Sequence, residues 1–185
     1  EYGEGEYVHN CEPIWPMITY GEKSHWRNHI YATYYCTHSI GPLIHITGLR
    51  PQSVVGFELP YNDKCARMGA KSGSAGIEMI TLENGAMIKS LHAQALEKNS
   101  IWYSIYGTRG RIESSREDAQ NGAMDRVYTN LNKDEGTYID NPQTYLIEGD
   151  EKQKENMVHG SSDYIIMDNF IKAIKKEPAD IIDVY

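Results

Sequence analysis

The residues best suited to chemistry lie in the stretch Thr33–Gly48, which reads TYYCTHSIGPLIHITG. Pro42 has no N–H and its ring clashes with the carbonyl four residues back. The spacing therefore predicts a helix starting near Ser39, with Ser39 as N-cap and Pro42 in the first turn. Leu43, Ile44 and Ile46 supply an apolar face, and Gly48 stands where a left-handed C-terminal cap belongs. His38 then falls just outside the helix N-terminus. The positive end of the dipole there disfavours an imidazolium, so His38 is expected to be neutral and able to accept a proton. Tyr35, three residues earlier, can face the same space. A capped core helix carrying a half-buried His and Tyr explains the same pattern without chemistry.

Other candidates are more dispersed. Tyr7 and His9 are two apart in a strand-like opening and so share a face, either lining a cleft or packing across strands. His25 and His29 are four apart, a metal-binding spacing on a helix, but the Glu of a HExxH site is missing and no acidic ligand is evident, so no metal is expected. Arg27 lies between them, beside Trp26. A guanidinium next to an aromatic suits hydroxyl-rich or anionic groups, and equally a surface salt bridge. His159-Gly160-Ser161-Ser162-Asp163 presents a helix N-terminus to a polar ligand or is simply a cap. No GxSxG elbow supports a serine nucleophile, and no visible pair of carboxylates supports a conventional glycosidase.

The elements that must position these groups follow from the pattern. The chain has 185 residues, 18 Lys plus Arg against 26 Asp plus Glu, and a net charge of −8. That length argues for one domain spanning 1–185, and scattered positive charge argues against nucleic acid. No apolar run is long enough to span a bilayer. Three cysteines without CxxC spacing argue against a disulfide framework and fit a reducing, cytoplasmic setting. Fourteen tyrosines and three tryptophans against two phenylalanines suit a sheet with a wet face or a sugar-binding cleft.

Strands are expected at Glu1–His9, Ser53–Leu59, Gly76–Leu82, Ala86–Leu96, Ile101–Tyr106, Arg111–Ser114 and Asp125–Leu131. Glu83-Asn84-Gly85 makes a hairpin turn, and short connections imply antiparallel pairing. Residues 10–28, 61–74 and 132–156 read as loops. A final helix runs from Ser161 or Ser162 to Lys175-Lys176, with Tyr164, Met167, Ile171 and Ile174 at helical spacing. The expected class is α+β: a large, mostly antiparallel, open-faced sheet with helices on one face. Its Tyr- and Ile-rich uncovered face is expected to make a homo-oligomer.

Taken in order, six segments resemble one family: Gly5-Glu6-Tyr7-Val8-His9, His25-Trp26-Arg27, Tyr34-Tyr35-Cys36-Thr37-His38-Ser39-Ile40-Gly41-Pro42, Asn84-Gly85-Ala86, Tyr106-Gly107-Thr108-Arg109-Gly110 and His159-Gly160-Ser161-Ser162-Asp163-Tyr164. The chain looks like the C-terminal, substrate-side domain of the Gfo/Idh/MocA oxidoreductases, and is similar to their branch of NAD-dependent glycoside hydrolases of family 109. Cys36, Ser39 and Ser161 depart from the Pro, Gly and Gly usual in that branch. The resemblance implies that Tyr35 and His38 are catalytic, as proton-transfer and orienting groups, and that Tyr7, His9, Arg27 and His159 contact a sugar or glycoside. It also implies NAD(P) in the full-length enzyme. The chain shows neither a glycine-rich strand-turn-helix nor the family's Glu-Lys-Pro motif, so a Rossmann domain outside these residues is expected to bind it. Alone, the chain is expected to bind no NAD and to be inactive. The alternative is a non-catalytic β-sheet domain that binds a sugar or a partner.

Overall fold

The computed structural model describes residues 1–116, 126–131, 135–140 and 162–179. The chain divides into two compact units, Glu1–Pro142 and Gln143–Tyr185. The first unit is built on one eight-stranded sheet of β1 (Tyr2–Val8), β2 (Pro51–Glu58), β3 (Ala75–Leu82), β4 (Met87–Ala93), β5 (Ser100–Gly107), β6 (Gly110–Ser114), β7 (Arg126–Leu131) and β8 (Thr137–Asp140). Their spatial order is β2-β3-β4-β1-β5-β6-β7-β8. Every pairing is antiparallel except β1 with β4, which the local sequence did not foretell.

The hairpin between β3 and β4 turns at Asn84-Gly85, but not as the type I′ turn that Asn-Gly favours, because Asn84 does not take the positive φ that type needs at both positions. Gly85 takes φ 84°, and the Asn84 side chain accepts from the Ala86 amide at 2.9 Å. Of the residues read as loop, Trp15–Ile18 forms a short helix α1, Asp63–Met68 a helix α3, and Thr137–Asp140 the strand β8. Asn62 caps α3 by accepting from the Cys65 amide, and left-handed Gly69 ends it. α1 and α3 meet in a small core of Cys11, Trp15, Cys65, Met68, Ala70 and Ala95.

Helix α2 (Thr37–Thr47) lies across the middle of the sheet, and its Leu43 joins Ile80, Leu82 and Ile88 in the main core. Gly3 and Gly5 make this crossing possible. A Cβ on Gly5 would stand 1.7 Å from the Ser39 carbonyl oxygen, so only glycine lets the helix backbone come this close.

The helix starts earlier than Pro42 implies. A 3-10 turn, Ala32–Tyr35, runs through Cys36 directly into α2, so Pro42 sits inside the helix and Ser39 is its third residue, fully buried, rather than its N-cap. Proline deprives the His38 carbonyl of its usual partner, and the Tyr103 hydroxyl, arriving from β5, donates to that carbonyl at 2.6 Å. Gly48 caps the C-terminus at φ 65° as expected.

In the second unit, helix α4 spans Ser162–Lys175, close to the range its spacing predicts, with Asp168 and Lys172 paired one turn apart.

A candidate active site at the end of the first strand

Tyr7, near the C-terminal end of β1, projects to the α2 side of the sheet, where its ring stacks on His38 with centroids 4.4 Å apart and planes at 22°. Tyr35 meets both, edge-on to Tyr7 at 5.8 Å and to His38 at 5.0 Å. His9, one residue past the strand, flanks Tyr7 from 6.1 Å. Four of the six residues singled out in the sequence thus form one cluster. Its supports are a strand end for Tyr7 and His9, the 3-10 turn for Tyr35, and the first turn of α2 for His38, which is the second helical residue and not outside the helix.

Arg27 stands on a 3-10 turn, Trp26–Asn28, with its guanidinium 4.6 Å above the Trp26 ring. Its charge reaches the cluster, acting to lower the pKa of both Tyr35 and Cys11. Opposing influences win. Burial first, then the Tyr7 hydroxyl, hold Tyr35 well above the usual tyrosine range, and burial pushes the Cys11 thiol up to about 11. Tyr103, below the cluster, is pushed up to about 12 by burial and then by Tyr7. These hydroxyls are therefore donors at neutral pH, and the thiol is no nucleophile.

His25 is occupied locally, its Nδ1 accepting from the Arg27 amide at 3.3 Å, and His25 and His29 flank a 3-10 turn instead of sharing an α-helical face. Among the described residues no group of three or more His, Cys, Asp or Glu is arranged to hold a metal. His159 lies outside the described residues.

The sequence reading missed a second layer behind the cluster. Glu78 on β3 and Ser90 and His92 on β4 are buried on the α2 side of the sheet. A signal existed, since Glu78 falls on the same strand phase as Gly76 and Ile80, where a charge needs a reason.

The glycines of β1 are spent on packing. Gly3 and Gly5 face Leu43 and Ser39, so the Gly-x-Gly in this strand is not a phosphate cradle.

Fold and cluster together define an α+β domain with a polar aromatic site at one end of a central strand. Residues 31–184 match the C-terminal alpha/beta domain of the Gfo/Idh/MocA oxidoreductases, and the chain belongs to that family. No curated protein sequence matches it. Among solved structures it is similar to an oxidoreductase from Thermotoga maritima, with TM-score 0.64 and 13% identity over 100% of this chain and 47% of that one. It is also similar to UDP-N-acetylglucosamine 3-dehydrogenase from Acidithiobacillus ferrooxidans, with TM-score 0.58 and 11% identity over 96% and 45%. An inositol dehydrogenase homolog from Azotobacter vinelandii, complexed with NADH and myo-inositol, gives TM-score 0.53 and 13% identity over 80% and 37%. The chain spans less than half the length of each of these structures, and at such identities the likeness is one of fold. All three are described as oxidoreductases or dehydrogenases, and none of them as a glycosidase.

Proposed function

We propose that this chain is the substrate-side domain of an NAD-linked oxidoreductase acting on a secondary alcohol of a sugar or cyclic polyol. The observation that carries the reading is the convergence of Tyr7, Tyr35 and His38 on one strand end, with Arg27 in electrostatic reach. Family membership and the polyol and nucleotide-sugar enzymes among the structural relatives support the substrate class.

Oxidising a secondary alcohol removes a proton from oxygen and a hydride from carbon. The nicotinamide, held by a nucleotide domain beyond these residues, supplies the hydride acceptor. This chain contributes the proton chemistry. His38, exposed in the first turn of α2, is in its neutral form the general base for the hydroxyl. Tyr35, kept protonated, donates a hydrogen bond to the oxygen that becomes the carbonyl. The Tyr7 ring backs His38 and fixes its plane, and His9, Arg27 and, on resemblance alone, His159 hold the remaining hydroxyls.

The test is NADH formation by the complete protein on a panel of cyclic polyols, free sugars and nucleotide sugars, with nitrophenyl glycosides alongside. Net NADH with one of the alcohols is the expected result. Release of nitrophenol without net NADH would instead favour the glycosidase branch suggested by Tyr35-Cys36-Thr37-His38. Sugar binding with neither activity would make the chain a binding module. Self-association through the sheet face opposite α2 belongs to the same proposal, supported by the exposure there of Val55 and Phe57.

A further inference from the structure

Beneath α2, His92 has no exposed surface and Glu78 is 4% exposed. The imidazole Nε2 lies 2.7 Å from the Ala32 carbonyl oxygen, which can only accept, so Nε2 carries a hydrogen. The Ala32 amide in turn donates to the Glu58 carboxylate. Both polar groups of the first residue in the turn Ala32–Tyr35 are therefore gripped by side chains from the sheet. Gly76 makes room for this, since a Cβ there would stand 2.5 Å from His92 Nε2 and 3.0 Å from the Thr33 Cα.

The other ring nitrogen, Nδ1, is 3.2 Å from Glu78 Oε2 and 3.4 Å from the Ser90 hydroxyl. Ser39 donates its hydroxyl hydrogen to the Cys36 carbonyl at 2.8 Å, so in the 2.8 Å contact between Ser39 and Ser90 the donor is Ser90. The Ser90 hydrogen is thereby used, and Nδ1 does not receive it. Neither Glu78 oxygen makes a well-formed hydrogen bond, and His92 is the one ion-pair partner recorded for it among the described residues. Burying a carboxylate without a hydrogen-bond donor is costly, and among the described residues the one hydrogen within reach of Oε2 is that on Nδ1.

We propose that Glu78 and His92 share one proton between Oε2 and Nδ1, and that the pair is a positioning device which aims Nε2–H at the Ala32 carbonyl and so holds Tyr35 against His38. The inference rests on the reading of Tyr35 and His38 as the site. Apolar residues would fill this volume at least as stably, so the pair is retained for the fixed tautomer and ring orientation it gives. Positioning groups act over small distances: a displacement of about 1 Å at a reacting group costs on the order of 100-fold in rate.

The complete protein tests this with two readouts besides activity. Nitrogen-resolved NMR of His92 is expected to show hydrogen at Nε2 and a downfield Nδ1 proton, the latter lost in Glu78→Gln. Tyrosine ring-carbon titration is expected to show Tyr35 ionising above the ordinary range in wild type. It should fall back toward that range in His92→Ala and be restored in His92→Gln, whose amide can still donate to Ala32. Under saturating substrate kcat should fall roughly ten- to hundredfold in His92→Ala with KM little changed, and recover in His92→Gln. A His92 without a proton at Nδ1, or a Tyr35 titration indifferent to His92→Ala in a folded protein, overturns the proposal. Should His92→Ala fail to fold, the Glu78→Gln spectrum and the His92→Gln titration still decide it. If Tyr35 responds but no alcohol is oxidised, the positioning pair stands and the functional reading falls.

Discussion

The two faces of the central sheet use the same strands for opposite ends. On the α2 side β1 presents Gly3, Gly5 and Tyr7, and neighbouring strands present Glu78, Ser90, His92 and Tyr103, so helix and sheet meet at backbone distance over a layer of buried polar groups. On the other side β1 presents Tyr2, Glu4 and Glu6. Around them Arg116 lies 3.9 Å over Trp102 and pairs with Glu6, Arg111 covers Tyr128 at 4.7 Å, and Arg126 covers Tyr138 at 4.3 Å. The first face is specified to within an ångström. The second is a set of cation–aromatic and ion-pair contacts between long side chains, each worth about 1 kcal/mol or less where exposed. Alternation along a strand thus separates a precise site from an adaptable surface without any extra element.

That contrast is easiest to break at Gly5. Gly5→Val would drive a side chain into the Ser39 carbonyl, 1.7 Å from the new Cβ, and α2 has no slack because Leu43 is fully buried. A cost on the order of 5 kcal/mol is expected, enough to abolish most of the folded state of a marginally stable domain. Circular dichroism and a thermal melt read it directly, and a stable, native-like variant would mean that the helix does not sit on this floor. At the site itself, His38→Ala in the complete protein should lower kcat roughly 10²- to 10⁴-fold with the melt unchanged, since His38 is exposed. A purely structural histidine would shift the melt and leave activity per folded molecule alone.

How much of this the sequence revealed depended on whether the signal was local. The β3–β4 hairpin was legible because Asn84-Gly85 carries its own turn chemistry; spacing paired Tyr35 with His38 and strand phase paired Tyr7 with His9, but only the family resemblance joined the two pairs. The parallel pairing of β1 with β4 was not, because nothing within either strand names its partner. α3 had both caps, Asn62 and Gly69, but six residues show too little period to stand out. Pro42 misled for a physical reason: its local rule assumes an unsatisfied carbonyl at His38, whereas Tyr103 satisfies it from 65 residues away. The Glu78–His92 pair is the same case, with the inward phase readable and the partner not.

Tyr103 sharpens the comparison by a smaller margin. Tyr103→Phe removes the donor to the His38 carbonyl and should cost about 1 kcal/mol in denaturant unfolding. In a Pro42→Ala background the helix regains its own N–H, so the same substitution should cost only a few tenths, and equal costs in both backgrounds would refute this account of Pro42. Tyr103 also makes a pH prediction. Its folded pKa is raised to about 12 from 10.0, so between those values the unfolded chain has lost a proton that the native state keeps. Stability is therefore intact below pH 10 and falls as pH rises toward 12, and Tyr103→Phe should flatten that decline in alkaline melts.

The smallest effect on the fold and the most specific effect on assembly belong to the opposite face. Phe57 is 69% exposed and Val55 neighbours it on the edge strand β2, so neither contributes much to the first unit's own core. Phe57→Ser should accordingly change the midpoint of unfolding by no more than about 0.5 kcal/mol at concentrations where the protein is monomeric. If this face joins two copies, a two-fold axis brings each exposed aromatic into the interface twice. A residue of that kind costs roughly 1 to 2 kcal/mol per site on truncation, which weakens a dimer by tenfold or more. Sedimentation or light scattering across a concentration series separates the two effects, because loss of fold and loss of association then move independently. Wild-type protein that stays monomeric at high concentration, or a Phe57→Ser variant that dimerises as wild type does, would show that the adaptable face serves something other than a second copy of this chain.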